Sequence, residues 1–297
     1  MIEEFLGSRR RLPVAAATLR ADETRLQLFV DFLSAEELSL EEIEREDIER
    51  FSRSLSWYST AYAHNVLSST NGFLAFKGRE DLVISPADSS ERKRVRVRVR
   101  PLRFNLANIR KAAFEAGELS PRLGSVVMIC ALLGLRLREA ILLEIRESLR
   151  SYRTIGRVDV IHGTKGGRSR EVERLVTPLE DIEEVLVEAL PLATNQRGNL
   201  LGEDANSDYF YRLCERKLQP ILKSNGIACI HDLRTYFAVT KFERAAGHLA
   251  PINTDTVPKN YNKEHDRAIR LALSEEMGHS RWQITNSYLG TLRGKKR

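Results

Sequence analysis

Six residues in five separated segments of this 297-residue chain have side chains suited to work on a phosphate group. Arg136 stands in Gly134-Leu135-Arg136-Leu137-Arg138-Glu139-Ala140, and Lys165 in Gly163-Thr164-Lys165-Gly166-Gly167. His231 and Arg234 share His231-Asp232-Leu233-Arg234, His279 follows Gly278, and Tyr288 comes nine positions after His279. A guanidinium stays charged and offers two parallel N–H donors that fit phosphate oxygens. Imidazoles carry protons near neutral pH, and a phenol becomes a nucleophile once a base takes its proton. Singly, each has a structural explanation. Arg136 could sit on a helix-end surface, Lys165 at an ordinary hairpin tip, and Arg234 could bridge a carboxylate. His231 or His279 could cap a helix, and Tyr288 could pack in a core. Those explanations would have to hold independently, in one order and at one set of spacings.

The surrounding pattern places these residues on element ends. The apolar run Ser125 to Leu135 reads as a buried helix ending at Arg136, and it is too short to span a bilayer. Val158, Val160 and Ile161, then Val172, Leu175 and Val176, flank a glycine-rich turn and predict a hairpin with Lys165 at its tip. Helical spacing covers 179–190, 209–222, 231–246 and 267–277, and puts His231 and Arg234 on one face of a starting helix. Upstream, Leu26, Phe29, Val30 and Leu33 repeat at helical spacing, as do Ile48, Phe51 and Leu55. A third helix, capped by Ser59, carries Tyr62, Val66, Phe73 and Phe76 and stops at Gly78. These make a small helical bundle; the acidic stretch from Glu36 to Glu49 reads as a solvated face.

Ser85 to Ser90, with Pro86, has linker composition. It leads into Arg92, Lys93, Arg94, Arg96, Arg98, Arg100 and Arg103, with valines alternating among the later arginines. An extended chain would set one row of cations on a single side, either to contact phosphates or to guard a strand edge.

The segments resemble those of the tyrosine recombinase and phage integrase family. Gly134-Leu135-Arg136 is similar to its Gly-Leu-Arg motif, with Glu139 at the supporting acidic position. Thr164-Lys165-Gly166-Gly167 resembles its lysine-bearing turn, His231-Asp232-Leu233-Arg234 its His-x-Leu-Arg, and Met277-Gly278-His279-Ser280 through Tyr288 its closing block. The resemblance runs over about residues 121 to 290 and implies a mainly α fold with a small β-hairpin. Residues 1–84 would then be a helical, SAM-like core-binding domain, 85–103 a basic interdomain linker, and 104–297 a mixed α/β catalytic domain.

The activity implied is site-specific DNA recombination through a covalent 3'-phosphotyrosine, as in the integrase of a mobile element or phage. Tyr288 would attack and Arg136, Arg234 and His279 would steady charge on the non-bridging oxygens. His231 would accept the phenol proton, Lys165 would protonate the leaving 5' oxygen, and Glu139 would orient Arg136 or His231. No cofactor is expected, and no cluster of carboxylates or histidines has metal-ligand spacing. Double-stranded recombination sites, a homotetramer on synapsed DNA, and possible accessory DNA-bending or directionality proteins are the implied partners. A type IB topoisomerase-like enzyme, or a catalytically inactive DNA-binding regulator derived from a recombinase, are the alternatives.

Composition agrees. The net charge of +6 and pI of about 9.3 favour an anionic partner, and 42% hydrophobic with 30% charged residues is a globular balance. Glu3 and Glu4 replace the basic start of a secretory signal, so the expected location is cytoplasmic, at the nucleoid, with no membrane association. Cys130, Cys214 and Cys229 have no paired spacing and read as reduced, buried thiols. Only Leu289 to Arg297 follow Tyr288, whereas the interval from Arg234 to His279 is longer than the family pattern. The extra loop, Gly247 to His265, would make a protomer contact through Leu249, Ile252 and Tyr261, make a backbone contact through Lys259 and Lys263, or be passive surface.

Overall fold

Helix signals in the sequence become helices wherever an apolar stripe finds a partner. The computed structural model describes residues 2–12, 14, 16–87, 97–164, 173–180, 182–202 and 206–292. The chain divides into two units, residues 1–95 and 96–297.

The first unit comprises α1 (Glu3–Arg10), α2 (Ala16–Ala35), α3 (Arg45–Ser54) and α4 (Thr60–Phe76). Its core is aromatic: Phe29 meets Phe51 at 5.1 Å between ring centroids, and Phe5 meets Phe73 edge-on at 5.9 Å. Ser59 caps α4 by accepting the Tyr62 N–H, as its position predicted. Phe76, expected on the buried stripe, is instead exposed in the last turn. The acidic stretch is anchored by buried Leu40 and Ile43, and Arg79 donates to the carbonyls of both at 2.8 and 2.9 Å.

The second unit begins, after residues 97–105 without regular structure, with α5 (Leu106–Leu119), α6 (Pro121–Leu132), α7 (Leu137–Ile141) and α8 (Ile145–Ile155). A two-stranded antiparallel sheet follows, β1 (Val158–Asp159) pairing with β2 (Leu175–Val176), Val158 opposite Val176. The chain continues with α9 (Glu183–Ala189), α10 (Ser207–Ser224), α11 (Ile230–Ala246), α12 (Lys263–Glu276) and α13 (Asn286–Leu289). Pro121 opens α6, where a missing N–H costs nothing. Helix α6 is lined by Val126, Val127, Ile129 and Cys130, all fully buried, and packs on α5 and α11. Burial pushes the Cys214 thiol up to about 12 and Cys130 up as well, so both act as small apolar residues.

Two expectations are corrected here. The alternating arginines predicted an extended strand with cations outward, yet residues 97–103 form no β ladder. Val99 is 75% exposed, while Arg98 turns inward. A protomer contact that includes Ile252 is one of three readings of the loop after α11; the loop turns through a short 3-10 helix at Pro251–Asn253, and Ala250, Pro251 and Ile252 are buried in their own unit, which takes Ile252 out of that contact.

Candidate active site

The centre of the site is a glycine that lets two helices touch. Gly134, at φ +60°, ends α6 against α11, where a Cβ would lie 2.4 Å from the Phe237 ring. This approach brings the Gly134 carbonyl onto the guanidinium of Arg234, which is fully buried one turn into α11. Arg234 Nη1 donates to Gly134 O and Nη2 to Met277 O, the C-cap of α12. Each terminal nitrogen thus gives one of its two N–H groups to backbone, and Nε donates to the Tyr288 oxygen at 3.1 Å.

Tyr288 is brought there by α13. Its side chain is only 3% exposed, and its oxygen lies 3.3 Å from His279 Nε2. His279 Nε2 is in turn 3.1 Å from Arg234 Nη2. A guanidinium only donates, so Nε2 accepts, and the imidazole is neutral with its proton on Nδ1. Burial first, then the charges of Arg234, Arg136 and Arg174, push the His279 pKa down to about 3. His231 faces Tyr288 by ring contact, centroids 5.4 Å apart, rather than by a hydrogen bond. The residue is exposed at the edge of a cleft, and desolvation of its ring, then the charge of Arg234, lowers its pKa.

Glu139 ties the arginines together. Its fully buried carboxylate accepts from the Arg136 backbone N–H at 2.8 Å and from Arg136 Nη1 at 2.6 Å, which caps α7. It also accepts from Arg174 Nη1 at 2.9 Å and lies 3.7 Å from Arg234 Nη1. Burial alone would raise its pKa, but Arg174, Arg234 and Arg136 together outweigh it and hold the carboxyl below its ordinary value. Arg136, with its side chain 25% exposed, is the cation open to solvent, beside a cleft of about 350 Å³ that His231, Tyr211 and Gln219 also line.

Arg136, Glu139, His231, Arg234, His279 and Tyr288 are therefore brought together. Lys165 lies outside the described residues, as do Arg92, Lys93, Arg94 and Arg96. Arg98 pairs with buried Asp232 at 2.6 Å, next to His231, whereas Arg100 and Arg103 are exposed. Sequence reasoning missed Arg174, 7% exposed, whose Nε donates to Glu276 O at 2.7 Å. A signal existed: residues 174 and 176 share one face at strand spacing, so a cation stands in line with buried Val176. Among the described residues, no three His, Cys, Asp or Glu side chains are grouped as metal ligands.

The family model for integrase matches residues 107–240, the segment holding Arg136, Glu139, His231 and Arg234. Over that segment, which is less than half of the chain, the sequence is similar to integrase. Lambda integrase, as a dimer bound to a COC' core site, is similar in structure with a TM-score of 0.62 at 15% identity, over 100% of this chain and 77% of that one. XerH site-specific recombinase, in a post-cleavage complex with palindromic difH substrate, gives 0.61 at 15% identity, over 97% and 79%. A lambda integrase tetramer bound to a Holliday junction gives 0.60 at 15% identity, over 100% and 78%. At such identities the likeness is one of fold: mainly helical with a small sheet, as the motifs implied. No curated protein sequence matches the chain. Among the described residues, no helix is long and apolar enough to cross a membrane.

Proposed function

We propose that this protein is a site-specific DNA recombinase that cleaves and rejoins DNA through Tyr288. The observation that carries the reading is the Tyr288 oxygen held between Arg234 Nε and His279 Nε2, with Arg136 open to the cleft nearby. Attack by that oxygen on phosphorus forms the Tyr–O–P bond and breaks P–O5', leaving a 3'-phosphotyrosine and a 5'-hydroxyl. Arg136 and Arg234 donate to the non-bridging oxygens as charge builds there. The phenol proton leaves to His231, whose ring faces Tyr288, once DNA draws that ring into hydrogen-bond reach; His279, with its pKa pushed down to about 3, is too weak a base for the step. Lys165 supplies the proton to the 5' oxygen. The reverse attack by a 5'-hydroxyl reseals the strand, so the bond energy is conserved without ATP.

Residues 1–84 act as the core-binding domain and 85–103 as a basic linker, and the substrate is double-stranded DNA. The relatives seen as a dimer on a core site and as a tetramer on a Holliday junction support a homotetramer on synapsed sites. The test is covalent trapping on a nicked suicide site. Tyr288→Phe should bind DNA normally and form no covalent complex. Trapping that survives in that variant, or relaxation of any supercoiled plasmid without sequence preference, would replace this reading.

A further inference from the structure

The segment that carries Tyr288 is short, and the groups that hold it take no part in the chemistry above. Helix α13 has only four residues, too few to hold itself, and is followed by Gly290. Arg270 on α12 is 3% exposed, and its guanidinium spans the whole segment. Nη1 donates to Thr285 Oγ1 at 3.3 Å and to Asn286 Oδ1 at 3.1 Å, at the start of α13. Nη2 donates to Gly290 O at 3.4 Å, just past its end. Asp266, one turn earlier on α12, fixes the guanidinium through Nε at 2.7 Å, and the Phe242 ring of α11 lies 5.3 Å from its carbon.

A second contact, from backbone, holds the same segment. The Arg98 backbone N–H donates to Asn286 O at 2.9 Å, while its side chain donates to Asp232 at 2.6 Å. Behind Tyr288, Gly290 at φ +71° passes through a slot where a Cβ would lie 2.5 Å from Ile252 Cγ2 and 3.0 Å from the Arg98 carbonyl. Both ends of α13 are thus tied down within the chain that owns Tyr288, and the packed loop at 250–253 forms one wall.

We infer that Arg270, seconded by the backbone at Arg98, is a positioning residue that presents Tyr288 to Arg234 of the same chain. The inference rests on Tyr288 being the nucleophile. Burying a guanidinium is costly unless each donor is satisfied, and here the acceptors are supplied by the segment that must be positioned. Misplacing a nucleophile by about 1 Å costs about a hundredfold in rate.

The experiment uses the full chain with 3-fluorotyrosine incorporated at position 288, observed by fluorine NMR without DNA, alongside single-turnover cleavage of a nicked site at saturating DNA. Arg270→Gln should move the fluorine resonance toward that of free fluorotyrosine and slow cleavage at least about tenfold, with DNA affinity unchanged. Asn286→Ala, which removes one acceptor and leaves the buried Asp266 pair intact, should shift both readouts in the same direction by less. That variant keeps the test open if Arg270→Gln does not fold. An unmoved resonance, or cleavage as fast as or faster than the parent, overturns the inference. The fluorine readout needs no chemistry, so a chain whose Tyr288→Phe variant still traps DNA would lose the functional reading while this result stood separately.

Discussion

The two units solve the problem of a core in different currencies. In residues 1–95 the interior is held by rings: Phe5, Phe29, Phe51 and Phe73 are nearly inaccessible, and Asp22 is the buried charge among the described residues. Asp22 is answered by Ser69 at 2.8 Å and by Arg25 and Arg9 at 3.4 and 3.5 Å. In residues 96–297, Glu139, Arg174, Asp232, Arg234, Asp266 and Arg270 are all buried. Rings suffice where only shape matters, because apolar burial is non-directional and needs no exact partner. Ionic groups in an interior demand partners at defined distances, so they specify positions more sharply than they stabilise. The contrast separates a unit packed by shape from one whose interior also fixes charges at defined distances.

The strongest way to break that contrast is a pair of truncations. Arg234→Met leaves the Gly134 and Met277 carbonyls without their donor and should cost about 3–5 kcal/mol in denaturant titration, and its folded fraction should trap DNA at least about a hundredfold more slowly. Phe29→Ala should cost a similar amount, about 3–5 kcal/mol, while its folded fraction traps DNA at the parental rate. If the folded fraction of Arg234→Met trapped DNA at the parental rate, the buried cation would be structural.

A smaller effect sharpens the comparison through pH. The folded-state pKa of His279 is pushed below its ordinary 6.5 to about 3, so between those values the unfolded chain binds the proton that the folded chain refuses. This contribution to stability is complete above about 6.5 and is lost as pH falls toward 3. Glu139, lowered from its ordinary value, acts with the same sign at the acid end. The melting midpoint should fall on going from neutral to mildly acidic buffer, and His279→Gln should remove at least about 2 °C of that fall. Equal slopes in parent and variant would mean that the imidazole is not held neutral by its surroundings.

How much of this was legible beforehand depends on whether a residue's role is set locally. Arg136, Arg234, His279 and Tyr288 were readable because each stands at a helix end or start with a recognisable spacing. Arg174 and Arg270 were not, since a buried cation is identified by acceptors far along the chain: Glu139 for one, Gly290 for the other. Arg270 did leave a trace, standing with Asp266 at i and i+4 on the stripe that Leu273 and Met277 continue. Arg98 shows the opposite failure. Alternation with valine predicted a row of outward cations, but the pull of Asp232 inverted residues 98 and 99.

The smallest expected effect follows from that inversion. Arg100→Gln with Arg103→Gln should lower the salt slope of DNA binding by up to about two units if both touch phosphate. Arg98→Gln should leave the slope unchanged, and a reduction there would return Arg98 to the phosphate-contacting row.

The guanidinium cluster around Glu139 also has a consequence for charge balance. Arg136, Arg174 and Arg234 carry three positive charges and Glu139 one negative, while His279 is neutral, so the cluster is left two charges positive. The cluster is thus short of anions. If Tyr288 attacks as proposed, the scissile phosphodiester supplies one negative charge and the phenol proton passing to His231 leaves the total unchanged, so one positive charge stays in place to meet the charge that builds on the non-bridging oxygens.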